Sequence, residues 1–255
     1  MSSAFGLTLP QRAVLFEVMS YEELLELAVS AEACELFDSV WVGDSLTAKP
    51  RPEAIGLLGA LAARTRRLKL GVGCMASFPL RDPFLFAYQW ASLDQLSSGR
   101  MLLAACNGLV AGGVSAREGA IWGVEDRERA PRLEENIEIC RLLWSEDEVS
   151  FEGRFHRLEK VSLEVKPSQA PCPIWIAANP PPGRFFERSV QRVARMADGW
   201  MTSQLFPGML ATYWSRLSEV LRENGRDPDT FPTMEYHNIN IGEDRQTCLE
   251  VSGSN

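Results

Sequence analysis

The chain has 255 residues, 45% hydrophobic and 24% charged, which is ordinary for a globular protein with a sizeable core. A net charge of −8 argues against nucleic acid or an anionic membrane as the main partner. No apolar run approaches the roughly 18 residues a membrane helix needs, and the opening MSSAFGLTLPQ lacks the basic and apolar regions of a secretory signal.

Along the chain, short apolar runs alternate with longer stretches of helical period. FGLTL (5–9) reads as a first strand. Ser20 then opens a capping box with Glu23, and Leu24, Leu27, Ala28, Ala31 and Cys34 form one apolar stripe. SVWVG (39–43) is a second strand, and Arg51-Pro52-Glu53 opens a helix through Arg64. LKLGVGC (68–74) is a third strand. Asp82 as N-cap with Pro83 behind it starts a helix that closes near Ser98-Gly99.

RMLLAAC (100–106) is a fourth strand, and the Gly-rich stretch 108–125 reads as a long loop. RLEENIEICRLLW (132–144) is an amphipathic helix. EVSFEGRFHRL, within the excursion 145–172, reads as a hairpin around Gly153. PIWIAA (173–178), GWMTSQ (199–204) and TMEYHNINIG (233–242) are the fifth, sixth and seventh strands. Helices over ERSVQRVARMA and from Pro207 to Asn224-Gly225 separate them.

Strands apolar on both faces and alternating with helices predict a parallel sheet covered by helices. Seven such units favour a (β/α)8 TIM-type barrel over a doubly wound sheet. It carries an insertion before the fifth strand and is truncated before the eighth, since only 13 residues follow Gly242. The expected organisation is one barrel domain over 1–255 with its C-terminal unit missing. An open barrel leaves its first and seventh strands unpaired at their edges.

Six cysteines stand singly, at positions 34, 74, 106, 140, 172 and 248, mostly among apolar neighbours as buried reduced thiols do. With only His156 and His237 as histidines, no metal site is legible from spacing. This pattern predicts a cytoplasmic protein without a structural metal. Gly71-Val72-Gly73-Cys74-Met75-Ala76 fits the loose fingerprint G-x-G-x-x-G/A, but its glycines lie inside a strand and no helix opens behind them, so the phosphate-binding context fails.

Five blocks in this order resemble the bacterial luciferase-like family of flavin-dependent oxidoreductases. They are FDSVWVGDSL (37–46), RLKLGVGCMASFPLRDP (67–83), LDQLSSGRMLLAACNG (93–108), RLEENIEICRLLW with VSFEGRFHRL (132–144, 149–158), and ADGWMTS (197–203). The resemblance runs from about Phe5 to Gly242. It implies a barrel binding FMN or the deazaflavin coenzyme F-420 at the strand C-termini, a homodimer, a small-molecule substrate, and a flavin supplied by a separate reductase. It also implies that the third strand ends in a bulge with a non-proline cis peptide, matching Cys74–Met75 here. On that reading Gly71 and Gly73 let the backbone approach the ring; on the plainer one they give room inside a barrel.

Barrel chemistry sits at strand C-termini, which sets the candidate residues. Asp44 ends the second strand, facing the mouth as a catalytic candidate or serving as a turn former. Similar proteins often carry a histidine next, where this chain has Ser45, so an obvious general base is missing there. By resemblance Cys74, Met75 and Ala76 back the ring, and Asn107 with Gly108 meets its polar edge. Ala178, Asn179, Thr202 and Ser203 lie toward the cofactor phosphate, with Arg184 and Arg188 on the following helix. Pro180, Pro181 and Pro182 depart from the glycine-rich phosphate turn of similar proteins and lack N–H donors. His237, read within the seventh strand, is the second catalytic candidate, while His156 reads as structural and Trp41 and Trp200 as packing.

The leading functional reading is a monooxygenase using reduced FMN and oxygen on a small organic substrate. Its alternatives are hydride transfer with F-420 and a non-catalytic flavin-binding barrel.

Overall fold

The protein is described from a computed structural model covering residues 4–108, 114–179, 183, 185–203 and 205–253. In chain order the elements are β1 (Gly6–Thr8), α1 (Arg12–Leu15), α2 (Tyr21–Ala33), β2 (Ser39–Asp44), α3 (Ala54–Arg64), β3 (Lys69–Met75), a short 3-10 turn (Phe78–Leu80), α4 (Pro83–Leu96) and β4 (Met101–Ala105). Then come α5 (Val114–Ile121), α6 (Asp126–Ser145), β5 (Val149–Glu152), β6 (Arg157–Val161), β7 (Ile174–Ala177), α7 (Phe186–Met196), β8 (Gly199–Ser203), α8 (Pro207–Glu223), β9 (Thr233–Tyr236) and α9 (Arg245–Gly253).

Seven strands form one parallel sheet in the order β1-β2-β3-β4-β7-β8-β9, curled into a half-barrel. The antiparallel hairpin β5–β6 stands apart from it, as the excursion before the fifth barrel strand predicts. Local chemistry sets the boundaries. Ser20 Oγ accepts the Glu23 N–H while Glu23 Oε2 accepts the Ser20 N–H, closing the capping box of α2. Asp82 Oδ1 accepts the Leu85 N–H at 2.8 Å with Pro83 behind it, starting α4.

Three expectations need correction. The stretch read as a loop over 108–125 contains α5, which carries Glu118, one of two buried charges described below. The last barrel strand ends at Tyr236, so His237 follows β9 instead of lying within it. The non-proline cis peptide is Gly73–Cys74, one bond before the expected Cys74–Met75, although the expected bulge is present.

The two faces of the sheet pack differently. Outward, Val40, Val42, Leu70, Val72, Leu103, Ile174 and Ile176 meet Leu58, Leu61, Phe86, Trp90, Ile137, Val193 and Leu217 of the helices in one continuous core. Each such side chain contributes about 1.5–3 kcal/mol by leaving water. Inward, Trp41, Leu102, Ala104 and Met201 form a small second cluster with Cys74, Trp175, Ala177, Met234 and Tyr236 at its margin. The Trp41 and Trp175 rings lie 6.4 Å apart. Room for them comes from missing side chains: a Cβ on Gly71 would lie 2.1 Å from Trp41 Cε3, and one on Gly199 would lie 2.6 Å from Trp175 Cε2.

The hairpin is fastened to α6 through one carboxylate. Glu135 accepts the N–H groups of Arg154, Phe155 and His156 at 2.7–3.0 Å and lies 2.9 Å from His156 Nδ1. His156 is structural, as the sequence reading expects.

Gly71→Ala is expected to destabilise the chain by about 1–3 kcal/mol through overpacking against Trp41, with most of that loss recovered when Trp41→Leu is added. Urea unfolding of the single and double variants checks this; a Gly71→Ala chain as stable as the parent contradicts the inner packing described.

Candidate active site at the strand C-termini

The end of β3 holds one residue too many for both neighbours. Val42 and Asp44 of β2 align with Val72 and Met75, and Ala104 and Ala105 of β4 align with Gly73 and Met75. Cys74 is therefore the bulged residue against each ladder. Cys74 joins the inner cluster, while Met75 is fully buried among the outer-core side chains. Of Met75, only the backbone can face the inside of the curl.

Asp44 does not open into the mouth. Its side chain is 2% exposed; Oδ2 accepts the Ser77 N–H at 2.7 Å and Oδ1 lies 3.4 Å from Arg81 Nη2. Arg81 in turn donates to Ser77 Oγ at 2.7 Å and Glu53 Oε1 at 2.8 Å. The acid thus fixes the chain that leaves the bulge. Ser45 Oγ accepts the Lys49 N–H, and Gln11 exchanges hydrogen bonds with both backbone groups of Gly43.

A second buried assembly ties the β2 and β4 ends together. Glu118 of α5 accepts the N–H groups of Leu46, Thr47 and Ala48 at 2.8, 2.8 and 3.3 Å. Its other oxygen lies 3.7 Å from Arg129 of α6, and both side chains are at most 2% exposed. Arg129 donates to the carbonyls of Asn107 and Ser115. Gly108 has φ +78°, and a Cβ there would come within 2.8 Å of Arg129 Nη1, so glycine suits this turn on both counts. Among the described residues, no partner is recorded for the Asn107 side-chain amide.

Across the sheet, Asn179 Nδ2 donates to the Ser203 carbonyl at 2.9 Å, and Trp200 Nε1 donates to the Ala178 carbonyl at 2.7 Å. Thr202 Oγ1 is buried without a hydrogen-bond partner among the described residues. Pro180, Pro181, Pro182 and Arg184 lie outside the described residues, and Arg188 is exposed on α7. His237 is half exposed with Nε2 2.9 Å from Glu235 Oε1.

The structure therefore brings Cys74, Met75, Ala76, Asn107 and Gly108 together on one side of the mouth, and Ala178, Asn179, Thr202 and Ser203 on the other. It does not bring Asp44 to His237. The Asn107 amide, unpartnered among the described residues and beside a strand end presenting backbone, fits the polar edge and face of a flavin or deazaflavin ring, and the unpartnered Thr202 hydroxyl on the other side fits its phosphate-bearing tail. A surface depression of about 580 Å³ elsewhere is lined by four glutamates, Glu134, Glu135, Glu138 and Glu152, against one arginine, Arg195, a net acidic lining that suits an anionic cofactor poorly. Among the described residues no group of three metal-ligating side chains occurs, and no helix is long and apolar enough to cross a membrane.

Sequence reading missed Gln11, Arg81, Glu118 and Arg129. Glu118 fell in a stretch read as loop, and Arg129 just ahead of a helix start placed too late; no local spacing announces their pairing.

A family profile described as luciferase-like monooxygenase matches residues 3–252. The chain is 30% identical over 238 residues, 89% of its length, to an F-420-dependent glucose-6-phosphate dehydrogenase of Nakamurella multipartita, and spans 66% of that relative. Among solved structures, a monooxygenase RslO1 from Streptomyces bottropensis superposes with TM-score 0.82 at 24% identity, covering 99% of this chain and 76% of that one. An F-420-dependent secondary alcohol dehydrogenase in complex with an F-420–acetone adduct gives TM-score 0.76 at 23% identity, covering 92% and 68%.

Removing one partner of the buried Glu118–Arg129 pair is expected to cost far more than removing an exposed one. Glu118→Gln should lower stability by about 3–5 kcal/mol, whereas Glu187→Gln, which breaks an exposed contact with Arg216, should cost less than about 1 kcal/mol. Equal shifts in urea midpoint for the two variants would contradict the buried role.

Proposed function

The chain belongs to the luciferase-like monooxygenase family, and we propose that it is an oxidoreductase passing a hydride between a small hydroxylated substrate and coenzyme F-420. The observation that carries this reading is the 30% identity over 89% of the chain to an F-420-dependent dehydrogenase. It reverses the order expected from sequence, where FMN monooxygenation led; the monooxygenase neighbour, at 24% identity, supports the shared fold alone. The separate reductase that monooxygenation needs then drops out.

In this reading the backbone of Cys74, Met75 and Ala76 lies behind the ring, and the Asn107 amide with the Gly108 turn holds its polar edge. Ala178, Asn179, Thr202 and Ser203 lie toward the phosphate-bearing tail. F-420 bound there supplies a ring carbon that accepts or returns a hydride without activating oxygen. Asp44 is a positioning residue, because its carboxylate is taken up by Ser77 and Arg81. Ser45 stands where similar enzymes carry a histidine, so the substrate hydroxyl needs another base. His237, following β9 at the same end of the sheet and beside Glu235, is assigned that proton.

Titration of F-420 and FMN into the protein, followed by fluorescence, tests this. F-420 should bind saturably and at least about tenfold more tightly than FMN, and Asn107→Ala should weaken it about tenfold, within the net worth of one hydrogen bond. Saturable FMN binding without F-420 binding restores the monooxygenase reading. Binding of neither by folded protein leaves a non-catalytic barrel.

A further inference from the structure

Two of the six cysteines meet at the inner end of the sheet. The bulge places Cys74 in the inner cluster, Cys106 directly follows β4, and their Sγ atoms lie 2.7 Å apart. The Cys106 N–H donates to the Met75 carbonyl at 3.3 Å, so the two strand ends are tied at this level. Neighbouring strands run about 4.8 Å apart, inside the Cα separation a disulfide accepts.

The two thiols are unequal. Cys74 is half-buried, and the hydrogen bond from Cys106 holds its thiol below the ordinary value, with burial and Asp44 opposing and the Arg51 cation assisting. Cys106 is buried, and the same contact together with burial pushes it well above. Cys74 is thus the less buried of the two and the one shifted toward ionisation, while its neighbour is shifted the other way. The other buried thiols are suppressed: burial pushes Cys172 up to about 12 and Cys140 higher still. Cys34, the C-cap of α2, is exposed, and among the described residues it hydrogen-bonds to no second cysteine.

We propose that Cys74 and Cys106 form a peroxide-sensitive dithiol, a reversible modification site at the mouth of the half-barrel. The Cys74 thiolate attacks one oxygen of hydrogen peroxide; the O–O bond breaks, and hydroxide leaves and takes a proton to become water. Cys74, oxidised by two electrons, becomes a sulfenic acid. Cys106 gives up its proton and attacks the Cys74 sulfur; an S–S bond forms, the S–O bond breaks, and the hydroxyl leaves with that proton as water. Two thiols and one peroxide yield one disulfide and two waters. An added dithiol reductant restores both thiols by exchange. This chemistry stands whether or not the cofactor reading does.

The test treats the intact chain with one equivalent of hydrogen peroxide, alkylates it, and maps it by trypsin without reduction. The expected product links peptide Leu70–Arg81 to peptide Met101–Arg117, leaves four of six cysteines alkylated, and reverts with dithiothreitol. In Cys106→Ser the Cys74 sulfenic acid should persist and be trapped by dimedone, whereas Cys74→Ser should give no sulfenic acid at Cys106. Full alkylation of both cysteines after peroxide overturns the proposal, as do links made only through other cysteines or sulfenic acid forming first at Cys106.

Discussion

The geometry at the mouth depends on a single extra residue. Cys74 has no partner in either neighbouring ladder, so β3 turns Gly73 and Cys74 inward in succession before Met75 returns to the outer core. A strand that kept strict alternation would aim Met75 inside and Cys74 into the helices. The bulge also sets Asp44 level with Met75, within reach of the Ser77 N–H two residues on. The backbone surface offered to a ring and the meeting of Cys74 with Cys106 both follow from that shift.

Holding this arrangement falls largely to carboxylates that each gather consecutive backbone amides. Glu118 does so for residues 46–48 at the mouth, and Glu135 for 154–156 in the hairpin. Glu32 does the same for Arg66, Arg67 and Leu68 where β3 begins. Loops leaving a parallel strand have no ladder to satisfy their N–H groups, and a charged acceptor supplies strong bonds in its place. At the mouth the acceptor is itself buried, so Arg129 is needed beside it, and that arginine in turn grips the carbonyl of Asn107. One ion pair thereby positions backbone on two separate strand ends.

The fold was readable because strands buried on both faces appear as apolar runs and because Ser20 and Asp82 announce their helices by local capping chemistry. The bulge falls where the end of the third strand and the family likeness put it, whereas the cis peptide lies one bond before the expected Cys74–Met75. What stayed hidden was pairing across long separations. Asp44 looks like a mouth residue until the Ser77 N–H and Arg81 are seen beside it, and Glu118 looks like loop until α5 is seen to carry it. His237 falls outside the strand because the alternation set by Met234 and Tyr236 breaks there: Ile239 and Ile241 fall on the opposite parity and are exposed.

The claim that the ends of β3 and β4 form the cofactor seat is tested most directly by a crystal structure of the protein grown with oxidised F-420. The account predicts the deazaflavin ring lying on the Cys74–Ala76 backbone with the Asn107 amide in hydrogen-bond contact with its polar edge. A ring bound elsewhere, or one whose polar edge points away from Asn107, would contradict it.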